Sequence, residues 1–288
     1  MAMLVAMAIP LAACSTNPDN PGSGIGSLSI PNPFRSREAP LESKTPQQIY
    51  LDAEAELDTG NVREAAKTFG EVERLYPYSE WSKRAMLMSA FAYHEGGQYA
   101  ESRSAAQRYL DFYPADKDAP YAQFLIALSY YDQIVDIGRD QANTFDALQE
   151  MRDIIERYPD SEYAKSAQMK FELALDHLAG KEMEIGRYYL ARGHYTAAIN
   201  RFRVVVEEYQ TTTQTPEALH RLVEAYLSLG LVGEAQTAAA ILGHNFRGSE
   251  WYADSYVLLS GRGLRPADAG GDGWLSQTYR QVVQGKWR

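Results

Sequence analysis

A spacing of 16 residues that recurs along the chain constrains its fold more than any other feature. Each instance runs from a residue suited to a tight turn, usually glycine, to an aromatic residue. The pairs are Gly60 and Tyr76, Gly97 and Tyr113, Ala142 and Tyr158, Gly193 and Tyr209, and Gly230 and Phe246. Self-similarity of this kind is typical of repeat proteins, in which one supersecondary unit stacks on the next.

Two further positions repeat inside each unit at helical spacing. The fifth residue after the turn is small, and the ninth is in most units bulky; the pairs are Ala65 and Phe69, Ser102 and Ala106, Ala147 and Met151, Ala198 and Phe202, and Ala235 and Ala239. Residues four apart share one face of an α-helix, so a helix is predicted after each turn. A second helix is predicted to begin at Ser79, Ser161 and Ser249, because serine followed by an acidic residue is a helix-start signal.

The pattern predicts an all-α fold, a right-handed TPR-type superhelix of five helix-turn-helix repeats with a C-terminal capping helix. It resembles the tetratricopeptide (TPR) pattern, whose period is about 34 residues. The units are predicted at about 46–79, 83–116, 120–161, 162–212 and 216–249, and the capping helix at 250–261. Unit three carries an insertion from Gln133 to Asn143. In unit four, Glu162 to Arg192 is predicted to form one long helix, or two helices with a break near Gly180.

The two ends of the chain have a different composition. Residues 1–13 are almost wholly apolar and end in small residues before Cys14, the single cysteine. This resembles a lipoprotein signal peptide, which implies acyl chains on Cys14; the alternative is an incidental thiol. Residues 14–44 are rich in Pro, Gly, Ser and Asn and are predicted to be a disordered tether. Residues 262–288 are predicted to be a mobile tail with a possible short helix.

Composition and motifs argue against several functions. With 28 Lys and Arg against 38 Asp and Glu, the chain has no basic surplus for binding nucleic acid. One cysteine excludes an internal disulfide and a multi-cysteine zinc site. The five histidines are scattered, and HExxH, GxSxG and phosphate-binding glycine loops do not occur. We therefore predict a protein that is not an enzyme and has neither a cofactor nor a metal site.

Several motifs together resemble the BamD family, the TPR lipoproteins of the bacterial outer-membrane β-barrel assembly machine. They are the lipobox at Cys14, the five-repeat count, Arg139-Asp140-Gln141 before Tyr158-Pro159-Asp160-Ser161, and Tyr188-Tyr189-Leu190-Ala191-Arg192-Gly193 followed by Ala197-Ala198-Ile199-Asn200-Arg201. The resemblance covers Cys14 and roughly Thr45 to Asn245. It implies a lipid-anchored scaffold on the periplasmic face of the outer membrane.

The resemblance also implies partners. They are the periplasmic domains of the barrel-forming subunit, accessory lipoproteins, unfolded outer-membrane proteins and the membrane itself. An alternative function is another envelope TPR lipoprotein, an adaptor for peptidoglycan or other cell-envelope enzymes.

Two sets of residues are predicted to bind protein partners. In TPR arrays the first helix of each unit lines the concave face, and BamD proteins are thought to bind the aromatic-ended C-terminal strand of unfolded barrels. The predicted groove comprises Tyr50, Leu57, Phe91, His94, Tyr121, Phe124 and Tyr131. The alternative is that some of these side chains belong to the core. By motif match, Arg192 and Arg201 are expected to dock the barrel-forming subunit; the alternative is that they are solvated surface residues.

Overall fold

The structure, a computed structural model, describes residues 40–135, 140–268, 270 and 272–286. This part of the chain is helical throughout, with a 3-10 turn at Leu41–Ser43 before the first α-helix. The helices are α1 (Pro46–Asp58), α2 (Val62–Leu75), α3 (Glu80–Glu95), α4 (Tyr99–Phe112), α5 (Ala119–Tyr131), α6 (Ala142–Arg157), α7 (Glu162–Ala191), α8 (Tyr195–Glu208), α9 (Thr215–Ser228), α10 (Val232–Asn245), α11 (Glu250–Ser260) and α12 (Trp274–Val283).

The helix boundaries follow from local chemistry. Ser79, Ser161 and Ser249 each accept a hydrogen bond from the backbone N–H three residues later, which satisfies one free donor of the first turn. At the tight turns between paired helices, Gly60 and Gly97 have φ values of 82° and 70°. Side chains rarely tolerate that conformation, which explains why glycine recurs at this position.

Consecutive helices pack as helix-turn-helix pairs, α1 with α2 through α9 with α10. The prediction of an all-α, TPR-like stack is therefore confirmed. The first helices of neighbouring units, such as α1 and α3 or α5 and α7, also contact one another, so they form one layer of the stack. We call this the inner layer, following the TPR arrangement.

The repeating small and bulky positions form the core between the layers. Ala65, Ala147, Ala198 and Ala235 are fully buried, and Phe69, Met151 and Phe202 fill the space beside them. Burial of each large apolar side chain stabilises the fold by about 1.5–3 kcal/mol.

Helix α7 is continuous over 30 residues. It contacts both α6 and α8, and its second half packs on α8, so one long helix without a break near Gly180 serves as the first helix of unit four. No helix in the described part of the chain is both long and apolar enough to cross a membrane.

The chain after α11 returns along the last repeat. Helix α12 packs on α10 and buries Leu275 and Val282 in the same cluster as unit five. The indole Nε1 of Trp274 lies 3.3 Å from the hydroxyl oxygen of Tyr226. The described part of the tail is thus held by its own repeats.

Candidate peptide groove and partner surface

Two positions of the inner layer are apolar in each of units two, three and four. Counting from the terminal aromatic of the preceding unit gives Leu87 and Phe91 in α3, Phe124 and Leu128 in α5, and Met169 and Leu173 in α7. All seven predicted groove residues lie on α1, α3 or α5. The structure therefore places them on one layer of the stack, although it buries them to different extents.

Two of the predicted groove residues are wedges between inner helices. Tyr50 and Phe124 are only 8% and 9% exposed. The ring of Tyr50 lies 5.1 Å from that of Trp81 on the next inner helix, and Phe124 lies 5.4 Å from Tyr163 in the same way. Aromatic pairs at such distances stabilise packing, so these two residues hold the units together.

The other five predicted groove residues are half-buried: Leu57, Phe91, His94, Tyr121 and Tyr131. Burial raises the pKa of Tyr121 to about 12, so its phenol is neutral at physiological pH. Burial also raises the pKa of Tyr131. His94 Nε2 lies 3.1 Å from Asp132 Oδ2 at the end of the next inner helix. Leu57, Phe91, Tyr121 and Tyr131 thus offer apolar and neutral contact surface.

The most exposed apolar side chains of the inner layer belong to unit four. They are not among the seven predicted groove residues. Met169 is 54% exposed and Leu173 is 58% exposed. The Lys170 ammonium lies 4.4 Å from the centre of the Tyr131 ring and joins this patch to unit three. Met169 and Leu173 occupy the positions of Leu87 and Phe91, so extending the repeat offset by one unit would have identified them.

In unit five the inner face becomes charged. Arg187 Nη1 lies 2.8 Å from Glu217 Oε2, and Arg221 bonds to both Glu217 and Glu224. Arg187, Arg221 and Glu224 border a cleft of about 410 Å³ between α7 and α9. The inner layer therefore has an apolar section over units one to four and a polar section over unit five.

His220 lies behind the charged section and links α9 to α11. Its Nδ1 is 2.9 Å from Ser255 Oγ, and burial lowers its pKa. A neutral imidazole is thus favoured at this contact. Among the described residues, no group of three or more His, Cys, Asp or Glu side chains is placed to hold a metal ion.

The two predicted docking arginines both lie on the hairpin formed by α7 and α8. Arg201 Nη1 is 3.0 Å from Glu182 Oε2, and the Arg201 side chain remains 43% exposed. The Arg192 guanidinium lies 4.1 Å from the centre of the Tyr188 ring, and Tyr188 is itself 51% exposed. Cys14 and Arg139 lie outside the described residues.

Comparison with known proteins identifies the family. A family model named YfiO and described as "Outer membrane lipoprotein" matches residues 42–241, which includes the inner layer of all five units. A protein of Caulobacter vibrioides named "Outer membrane protein assembly factor BamD" is 51% identical over 226 residues, covering 78% of this chain and 74% of that protein. The chain belongs to the BamD family.

More distant BamD proteins match over a similar span. The BamD of Rickettsia prowazekii is 40% identical over 211 residues, covering 73% of this chain and 84% of that protein. The BamD of Neisseria meningitidis is 29% identical over 210 residues, covering 69% and 79%. The resemblance to the BamD family in the repeat motifs is therefore confirmed.

Proposed function

We propose that this chain is an outer membrane protein assembly factor, as its relatives are named. It acts as a non-enzymatic scaffold that binds unfolded barrel proteins through its earlier repeats and the barrel-forming subunit through its later repeats. Accessory lipoproteins of the same complex are further partners. The observation that carries this proposal is the apolar section of the inner layer.

An unfolded barrel strand matches that section chemically. Its side chains alternate between apolar and polar, so one face of the strand presents an apolar group at every second residue. Leu57, Phe91, Tyr131 and Leu173 offer contact surface on four successive inner helices. Repeated pockets for alternate side chains are a recurring way to bind extended peptides.

The expected affinity is low. Each apolar side chain that is fully buried contributes about 1.5–3 kcal/mol, and association itself costs at least about 4 kcal/mol. Two or three buried side chains therefore give weak and reversible binding. Such binding suits a scaffold that passes its substrate to a partner.

The α7–α8 hairpin is the proposed docking surface for the barrel-forming subunit. Arg201 is paired with Glu182, but a pair that is 43% exposed on the arginine side contributes no more than about 1 kcal/mol. A carboxylate of a partner can therefore replace Glu182 at little cost. Arg192 and the exposed ring of Tyr188 provide a second contact on the same hairpin.

The proposed anchor is a set of acyl chains on Cys14. Two or more chains would hold the protein on the periplasmic face of the outer membrane, because one chain alone gives only marginal binding. Metabolic labelling with a fatty acid checks this proposal, and label that persists after Cys14→Ala would contradict it.

The groove is tested by measuring the affinity of a fluorescent peptide that ends in an aromatic residue and copies a barrel C-terminal strand. Leu173→Asp places a charge in the apolar section, and we expect it to weaken binding at least about tenfold, which is 1.4 kcal/mol. The matched control is Phe112→Asp, because Phe112 is 66% exposed but lies on α4, outside the inner layer. Equal losses in the two variants, or none in Leu173→Asp, would reject the groove.

A further inference from the structure

Helix α11 repeats the first helix of a unit. Ser249-Glu250-Trp251 corresponds to Ser79-Glu80-Trp81 at the start of α3. Both serines cap their helix through the backbone N–H three residues later, at 3.2 Å and 3.0 Å. Trp251 also packs on His220 of unit five, at 5.4 Å between ring centres, as Trp81 packs on Tyr50 of unit one at 5.1 Å. Helix α11 therefore docks on the stack as the beginning of a sixth unit.

On α3, the face that points toward α4 and α5 is buried. Met86 is 3% exposed and Ala90 is fully buried, and both pack in one cluster with Ala106 and Tyr109 of α4 and Ala122 of α5. Two helices therefore cover this face of α3: its partner α4 and the next inner helix, α5.

The corresponding face of α11 is open in the described part of the chain. Tyr256 takes the place of Met86 and is 46% exposed, and Val257, in the place of Leu87, is 66% exposed. Ala253 and Ser260 are exposed as well, so the stripe has the spacing i, i+3, i+4, i+7 of a single helix face.

The described residues after α11 do not supply the missing helix at this position. After α11 the chain runs along α10, where the Gln236 amide donates to the carbonyl of Arg265 at 2.7 Å. Helix α12 then packs on α10, whereas α4 pairs with α3. The second helix of the sixth unit is therefore missing from the described residues.

We infer that the stripe of Ala253, Tyr256, Val257 and Ser260 docks an amphipathic helix of a partner protein, which completes the sixth unit in trans. The pairing of α3 with α4 shows what kind of element covers this face. This surface is separate from both the groove and the α7–α8 hairpin, so the inference goes beyond the proposed function.

Charge narrows the chemistry of the occupant. Glu250 and Asp254 are exposed along one edge of the stripe. A second copy of this chain would bring the same carboxylates together, and an anionic membrane surface would repel them. A helix with Lys or Arg beside its apolar stripe is complementary to this edge.

The test places a photo-reactive amino acid at position 257 in the full-length protein in native outer membranes. Position 112 is the control, since Phe112 and Val257 are both 66% exposed. We expect position 257 to cross-link to a helical segment with an apolar stripe and adjacent basic residues, as mapped by mass spectrometry, and position 112 to give no such product. A cross-link to lipid, to a second copy or to any other kind of segment, or no cross-link, would overturn the inference.

A variant separates this surface from the groove. Val257→Glu should lower co-purification of the partner that the cross-link identifies at least tenfold, while the thermal unfolding and the affinity for the barrel peptide stay unchanged. Unchanged recovery would overturn the inference and leave the groove untouched. A change in peptide affinity would count against the groove proposal, because Val257 lies outside the groove.

Discussion

Asp116 shows how one side chain joins the two helices of a unit, since Lys83 lies on α3 and Tyr109 lies on α4. It accepts hydrogen bonds from the Tyr109 hydroxyl at 2.8 Å and the Asp118 backbone N–H at 3.0 Å, and it pairs with the Lys83 ammonium. Burial alone would raise the pKa of Asp116. The hydrogen bonds outweigh that effect and lower the pKa from 3.8 to about 2. A lowered folded-state pKa means that the carboxylate stabilises the fold above pH 4, and that this stabilisation is lost as the pH falls through about 2.

Asp116→Asn should therefore reduce the free energy of unfolding by about 1–2 kcal/mol at pH 7. The difference in the free energy of unfolding between the wild-type protein and the variant should shrink to roughly half near pH 3. At that pH the carboxyl group is largely protonated in the unfolded state, so its ionised form stabilises the folded state less than at pH 7. Urea unfolding at the two pH values measures this. A difference that does not change with pH would show that Asp116 acts through shape alone.

Arg201 is the residue on which the docking proposal is most easily tested. Arg201→Gln removes the charge without placing a second carboxylate beside Glu182. Arg203→Gln is the matched control, because Arg203 lies on the same helix, is 44% exposed and is paired with Glu207. Both variants should unfold within about 1 kcal/mol of the wild-type protein. We expect only Arg201→Gln to lower co-purification with the barrel-forming subunit, and equal recovery from both variants would contradict the docking role.

At the scale of helices, Gly186 shows packing overriding helix propensity. In a helix interior, alanine is usually more stabilising than glycine by about 1 kcal/mol. At Gly186, however, an added Cβ would overlap the ring of Phe202, which is fully buried. Gly186→Ala should therefore destabilise the protein by about 1–3 kcal/mol. The control is Gly70→Ala in α2, where a Cβ meets nothing within 4 Å and a gain of about 0.5–1 kcal/mol is expected. Thermal or urea unfolding compares the two, and a stabilised Gly186→Ala variant would show that Phe202 moves aside freely.

Most helices could be predicted from the sequence because turn glycines, capping serines and the repeating small and bulky positions mark them. The burial of side chains on the inner helices could not be predicted, because it depends on which residues of the neighbouring unit pack against them. Phe124 and Met169 hold equivalent positions on their inner helices, yet Tyr163 covers Phe124 and Met169 stays 54% exposed. Ion pairs such as that of Arg201 with Glu182 were also beyond prediction, since they join residues of different helices.

At the scale of the whole molecule, surfaces of different chemistry lie on different units of the stack. The apolar section of the inner layer spans units one to four, the charged section lies in unit five, and the α7–α8 hairpin carries the two arginines proposed for docking. Each unit contacts its neighbours in sequence, so these surfaces can be changed one at a time.

The most direct test of the central claim is to map where a barrel C-terminal peptide lies when it is bound. The peptide carries a photo-reactive group at its terminal aromatic residue, and the attached residues are identified by mass spectrometry after irradiation. We predict attachment to the inner helices α1, α3, α5 and α7, with Met169 and Leu173 among the labelled positions. Attachment confined to α2, α4, α6 and α8 would contradict a substrate groove on the inner layer.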